Sequence, residues 1–272
     1  MIVGIDVGGT NARALLVDPA TSTVIDRSNA HSSDDHATLV QTLGDLVDQL
    51  RARSEHPVES VGLAMAGLAE SNGTVAYSPN LPRLIAAPVG ADLADRVGLP
   101  VATLNDANAS TWAEWHLGAG RGCRDFIMVN FGTGIGAGFV VGGQLVEGAN
   151  GFAGEVGHMV IDVDDPTHHT GQRGPWEQFA SGQTFDPAEI DTFCRLAAIG
   201  IANLVMVLDP QRVVVGGGLS AVGEPLRTGI QRRLHEVTLG AQHRPPVEVV
   251  LAELGDDAGA VGAALWAQQQ RR

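Results

Sequence analysis

Residues Phe126–Gly143, FIMVNFGTGIGAGFVVGG, decide how the rest of the chain is read. An apolar run, Phe126–Val129, breaks into glycines at Gly132, Gly134, Gly136 and Gly138, then resumes as Phe139–Val141. That order predicts a strand, a tight turn and a second strand, because glycine admits positive φ and lets backbone N–H groups approach a ligand that a Cβ would repel. The N-terminus repeats the plan, with Ile2–Val7, the turn Gly8-Gly9-Thr10, and Ala12–Asp18. Two hairpins, each with Gly and Thr at its tip, predict two related lobes offering their tips to one anionic ligand. The spacing Gly134-x-Gly136-x-Gly138 is not a dinucleotide fingerprint, and β-prone residues follow it; no Gly-Lys-Ser/Thr follows either turn, which excludes a P-loop. A pair of ordinary hairpins with glycine bulges is the plainer reading.

With 31 acidic against 17 basic residues among 272, the net charge is −14. This argues against nucleic-acid and anionic-membrane partners, which need clustered Lys and Arg. No apolar stretch reads as long enough to span a bilayer. Met1 runs directly into the first strand, so neither a signal peptide nor a DNA-binding module is expected ahead of it. Cys123 and Cys194 stand far apart and outside any metal-ligand spacing, which predicts a reducing, cytoplasmic setting.

Further along, Leu39, Val40, Leu43, Leu46, Val47 and Leu50 recur at helical spacing within 36–54. Val58–Ala66 reads as a buried strand ended by Gly67. In Ser78-Pro79-Asn80-Leu81-Pro82 two prolines fix the backbone around an amide, as a surface turn or as a ligand contact. The strand Pro100–Leu104 runs into Asn105-Asp106, where α/β sheets place their chemistry; Asp106 reads equally as an N-cap of the helix Asp106–Leu117. Strands are expected at Gln144–Glu147 and Met159–Val163, and a polar loop at Asp164–Trp176 that delivers Glu177. The helix Pro187–Leu208 is apolar nearly all round, hence expected to be buried. The strand Arg212–Val215 then enters the turn Gly216-Gly217-Gly218.

Five motifs in this order resemble the ROK family of bacterial sugar kinases, within the actin/hexokinase/Hsp70 ATPase superfamily: DVGGT at Asp6–Thr10, NDANA at Asn105–Ala109, GTGIG at Gly132–Gly136, NGFAGEVGH at Asn150–His158 and DPQRVVVGGG at Asp209–Gly218. The resemblance implies an α/β fold of two ribonuclease H-like lobes, residues 1–118 with the C-terminal helix 256–272 packing back on them, and residues 119–255, about a central cleft. It implies ATP, Mg²⁺ and a hexose acceptor, glucose first, and a homodimer. Asp106 would be the general base for the attacking hydroxyl, since that hydroxyl must lose its proton as it attacks phosphorus. Gly67, Asn80, Asn105, Glu155, His158 and Glu177 would join Asp106 in holding the sugar. Asp6 would position Mg²⁺, directly or through water. Gly8, Gly9, Thr10, Gly132, Thr133 and Gly134 would cradle phosphates, and Gly217 and Gly218 would admit the adenosine.

The chain departs from the family at the zinc site, where the family combines the His of its GH motif with three cysteines. The equivalent stretch here has His168 and Gly171 but no cysteine, so no zinc is expected and the loop is expected to order only when sugar arrives. Another hexose (an N-acetylhexosamine, mannose or fructose), a polyphosphate donor, or a non-catalytic sugar-sensing relative are the alternatives.

Overall fold

The computed structural model describes residues 1–164, 168 and 171–271. Asp165–Thr167, His169 and Thr170, from the loop expected at 164–176, lie outside them. The elements follow in order as β1 (Ile2–Val7), β2 (Asn11–Val17), β3 (Val24–His31), α1 (His36–Arg53), β4 (Ser60–Met65), β5 (Leu68–Ala69), β6 (Val75–Tyr77), α2 (Val89–Val97), β7 (Val101–Asn105) and α3 (Asp106–Leu117). Then come β8 (Phe126–Phe131), β9 (Ile135–Val141), β10 (Gln144–Leu145), α4 (Glu177–Ala180), α5 (Ile190–Leu208), β11 (Arg212–Gly216), α6 (Glu224–Val237), β12 (Glu248–Leu251) and α7 (Ala258–Gln269).

The chain forms two compact units, Met1–Ala113 with Glu147–Ala153 and Asp257–Arg272, and Glu114–Val146 with Gly154–Asp256. The first unit therefore ends five residues earlier on α3 than position 118, and it takes in Glu147–Ala153. The reasons are local. The Glu114 carboxylate accepts hydrogen bonds from Ala119, Glu253 and Leu254, all of the second unit. Gly151 abuts the Ala69 carbonyl of the first.

In the first unit the sheet order is β3-β2-β1-β4-β7, with β1, β2 and β3 antiparallel and β1, β4 and β7 parallel. Alternation along β1 sorts its side chains to two faces. Val3, Ile5 and Val7 join the core that includes Leu39, Leu43 and Leu46 of α1. Gly4 faces α7, so close that a Cβ there would collide with the Ala260 carbonyl, and Gly62 of β4 stands likewise against Ala263. α1 starts at the Asp35 cap, whose carboxylate accepts from Thr38 N. α2 ends at Gly98 in the left-handed region.

The second unit repeats this plan: β10-β9-β8-β11-β12, with β8 antiparallel to β9 and parallel to β11. Its core joins Ile127, Val129 and Phe131 of β8 to Phe193, Ala197 and Ile201 of α5 and Leu226 and Ile230 of α6. Four sequence expectations fail here. Gly136 and Gly138 belong to β9, pairing Asn130 and Met128, so the turn is only Gly132–Gly134. Among the described residues Met159–Val163 forms no strand, but an isolated bridge of Val160 with Pro175. Nor is α5 buried all round: Met206 is 47% and Val207 79% exposed. The stretch Pro187–Leu208 is also long and apolar enough to cross a membrane by length and composition, contrary to the reading of the sequence, although half of that window packs inside the second unit.

Trp176 closes this core. It is fully buried, stands edge-on to Phe131, and donates its Nε1–H to the Leu196 carbonyl at 3.1 Å. Its indole occupies the place a Cβ on Gly200 would take. Gly200→Ala is expected to lower stability by roughly 1–3 kcal/mol through overpacking. Since Ala favours a helix interior over Gly by about 1 kcal/mol, thermal unfolding at or above the parent's midpoint would show that the indole does not hold this position.

Candidate active site

In the first unit the side chains converge at the C-terminal ends of β1, β4 and β7. Asp6 is the penultimate residue of β1, on the face toward α7. The turn Gly8-Gly9-Thr10 follows, closed by Gly8 N donating to Asn11 O at 3.0 Å, with Gly9 and Thr10 exposed. A Cβ on Gly9 would lie 2.8 Å from Asn80 Cβ, so the exposed Asn80 sits directly against this turn. Asn105 is 6% exposed and uses both ends of its amide. Its Nδ2 donates to Gly67 O at 3.0 Å, and its Oδ1 accepts from Ala107 N and Asn108 N at 2.9 and 3.1 Å. The cap of α3 is thus Asn105. The carboxylate of Asp106 stands on the first turn, partly exposed, with Oδ1 accepting from Ala107 N at 2.9 Å. Gly67 adopts φ +93°, and any Cβ there would press on Tyr77 O at 2.5 Å.

The second unit gathers the other group. Gly132 N donates to Gly134 O at 3.0 Å and Gly182 N to Gly132 O at 2.7 Å, which fixes the turn and leaves Thr133 exposed. Gly217, at φ +76°, packs against Phe131 O, where a Cβ would lie at 2.6 Å; Gly218 has open space around it. This places the third glycine turn next to the second. Glu177 follows the buried Trp176, and its Oε2 lies 2.5 Å from where a Gly134 Cβ would be. Its Oε1 stands 3.8 Å from His158 Nδ1 and 3.7 Å from His168 Nε2. Among the described residues His158 Nδ1 has no hydrogen-bond partner.

The expectation that loop 164–176 lacks anchoring is corrected at its far end. Ile161 N donates to Gly174 O, Trp176 N to Met159 O, and His168 N to Gln172 O. These bonds and the indole seat Glu177. Among the described residues no group of three or more His, Cys, Asp or Glu could hold a metal ion.

Burial raises the Glu155 carboxyl above the ordinary range; His158 opposes this and the Glu177 charge adds to it. Glu155 thus keeps its proton to higher pH than a solvated glutamate.

Sequence reasoning missed Glu114. It is fully buried, accepting from Ala119 N at 2.7 Å, Glu253 N at 2.9 Å and Leu254 N at 2.8 Å. One carboxylate therefore pins the end of α3 to the segment preceding α7. No local pattern marks it, because two of its three donors, Glu253 N and Leu254 N, lie far along the chain.

The ROK family model matches residues 2–190 and 187–270. The chain is 30% identical to a glucokinase of Streptomyces coelicolor, over 99% of its own length and 98% of the relative's. It is 27% identical to an N-acetylmannosamine kinase of Haemophilus influenzae, over 97% and 94%. A ROK glucokinase of Streptomyces griseus, solved with glucose and AMPPNP, superposes with a TM-score of 0.89 at 30% identity, covering 98% of this chain and 99% of that one.

If Glu155 must accept a hydroxyl hydrogen from the ligand, protonation removes that ability. The sugar KM is then expected to rise on acidification at a pH above the ordinary glutamate range, and Glu155→Gln to flatten that limb. An unchanged acid limb in the Gln variant would assign it to another group.

Proposed function

The chain belongs to the ROK family and is a phosphotransferase with an alcohol acceptor, and on that premise we propose that it transfers the γ-phosphoryl group of ATP to the 6-hydroxyl of glucose. The full-length likeness to glucokinases, one of them solved with glucose and AMPPNP, is the observation that carries this reading. The N-acetylmannosamine kinase likeness supports a second acceptor class, the N-acetylhexosamines.

Asp106 takes the proton of the attacking hydroxyl while the new O–P bond forms and the bond to the β-phosphate breaks, releasing ADP. Asn105 supports this role, because it supplies the helix cap that Asp106 would otherwise supply. Glu155, His158, Glu177 and Asn80 hold the remaining hydroxyls; carboxylates and amides grip neighbouring hydroxyls in pairs and so orient the ring. The turns Gly8–Thr10 and Gly132–Gly134 present backbone N–H groups and a threonine hydroxyl to phosphate oxygens. Gly217 and Gly218 leave room for the adenosine. Asp6 fits Mg²⁺: one half-buried carboxylate suits an ion that keeps several waters and binds phosphates rather than an all-protein cage. When bound, that ion would neutralise charge on the phosphates.

Asp106→Asn keeps the shape and loses the proton acceptor. It is expected to lower kcat by about 10²–10⁴-fold, while equilibrium sugar binding persists. Turnover within a few-fold of the parent would make Asp106 a structural residue and remove it from the chemistry.

A further inference from the structure

Among the described residues of the first unit, one glycine stands directly against a carboxylate. Even-numbered residues of β1 face α7, and Gly4 and Gly62 let the carbonyls of Ala260 and Ala263 lie directly on the sheet, so the helix and strands meet there with no side chain between them. Above Asp6 stands Gly259, in the first turn of α7. A Cβ there would lie 2.5 Å from Asp6 Oδ2, 2.7 Å from its Cγ and 3.2 Å from its Oδ1, and these are its three nearest atoms. The flanking Ala258 and Ala260 are 4% and 0% exposed, so the turn is packed on both sides. Asp6 sits on a central strand, paired with Arg13 of β2 and Ala64 of β4, and its short side chain has few rotamers with which to evade an added methyl. Gly4 and Gly62 face backbone carbonyls and serve helix–sheet packing. Gly259 faces a side chain, and the space it leaves is filled by the carboxylate.

We propose that Gly259 is a positioning residue for Asp6: the missing side chain at 259 selects the Asp6 rotamer that engages the cation of the nucleotide complex. The inference rests on the reading of Asp6 as the carboxylate on the cation side of bound nucleotide. It goes further by assigning Asp6's geometry to the first turn of α7, more than 250 residues away in sequence. Displacing a group that orients a metal-binding residue typically costs about 10- to 100-fold in metal affinity.

The test uses the full chain with Mn²⁺ and AMPPNP, free Mn²⁺ being read by electron paramagnetic resonance. Gly259→Ala is expected to weaken Mn²⁺ in the nucleotide complex about tenfold or more, with binding of AMPPNP without cation unchanged. Asp6→Ala should show the same loss. Adding Gly259→Ala to Asp6→Ala should cost nothing more in cation affinity or melting temperature, because the methyl then enters vacated space. Should Gly259→Ala alone not fold, the double variant is expected to fold, and failure of both would overturn the proposal. Parental Mn²⁺ affinity in Gly259→Ala, or an additive loss in the double variant, would overturn it while leaving the kinase reading intact. A parent protein that binds no Mn²⁺·AMPPNP would overturn both.

Discussion

The approach of α7 to β1 and β4 is the constraint on which the first unit depends. Backbone carbonyls of Ala260 and Ala263 lie where side chains of Gly4 and Gly62 would be, and Gly262 stands as tightly against Ala109 O of α3. Such contact admits no side chain larger than hydrogen at those positions, and a well-packed interior transmits any displacement to its neighbours. The helix that follows β7 and the helix that follows β12 are thereby locked together. Through them Asp6 at the end of β1 and Asp106 at the start of α3 are held on one rigid frame.

The second unit reaches rigidity by a different route with the same sheet order. Its decisive contact is the Trp176 indole, seated over Gly200 and tied to Leu196. Fully burying an aromatic of this size supplies on the order of 2–3 kcal/mol, enough to fix the residue that follows it. Glu177 is that residue, and its carboxylate lies over Gly134 in the second glycine turn. Packing and backbone hydrogen bonds seat the acid among the described residues, through the tryptophan that the sequence already offered as packing able to hold the loop.

Much of the architecture could be read directly from residue order. Apolar runs ending in Gly-Gly-Thr and Gly-Thr-Gly announced both hairpins, and α1 declared itself through Leu39, Leu43, Leu46 and Leu50, all of them buried. Asp106–Leu117 formed over the residues expected. The failures share a cause, which is that neighbours in space override local pattern. Gly136 and Gly138 look like turn residues, yet cross-strand bonds to β8 hold them in β9. Met159–Val163 alternates poorly and, among the described residues, makes an isolated bridge from Val160 to Pro175 rather than a strand. Val207 is apolar and exposed because α5 turns one face away from its own unit's core. Of the residues named for the site, Asn105, Gly67 and Asp106 sit together, and so do Glu155, His158 and Glu177. What the sequence could not reveal was that Asn105 spends its amide on the cap and on Gly67, or that Glu114 binds three backbone donors. The Gly67 partner of Asn105 and the Glu253 and Leu254 partners of Glu114 come from segments far away in the chain.

Phosphoryl transfer to a hexose is the central claim, and product analysis tests it most directly. The purified chain is incubated with Mg²⁺ and either ATP or inorganic polyphosphate, against glucose, mannose, fructose and N-acetylhexosamines. Nucleoside diphosphate release and the phosphorylated position are both measured. The account predicts ATP-dependent formation of glucose 6-phosphate, with the highest kcat/KM in the panel for glucose. No phosphosugar from any member of the panel with either donor would contradict it.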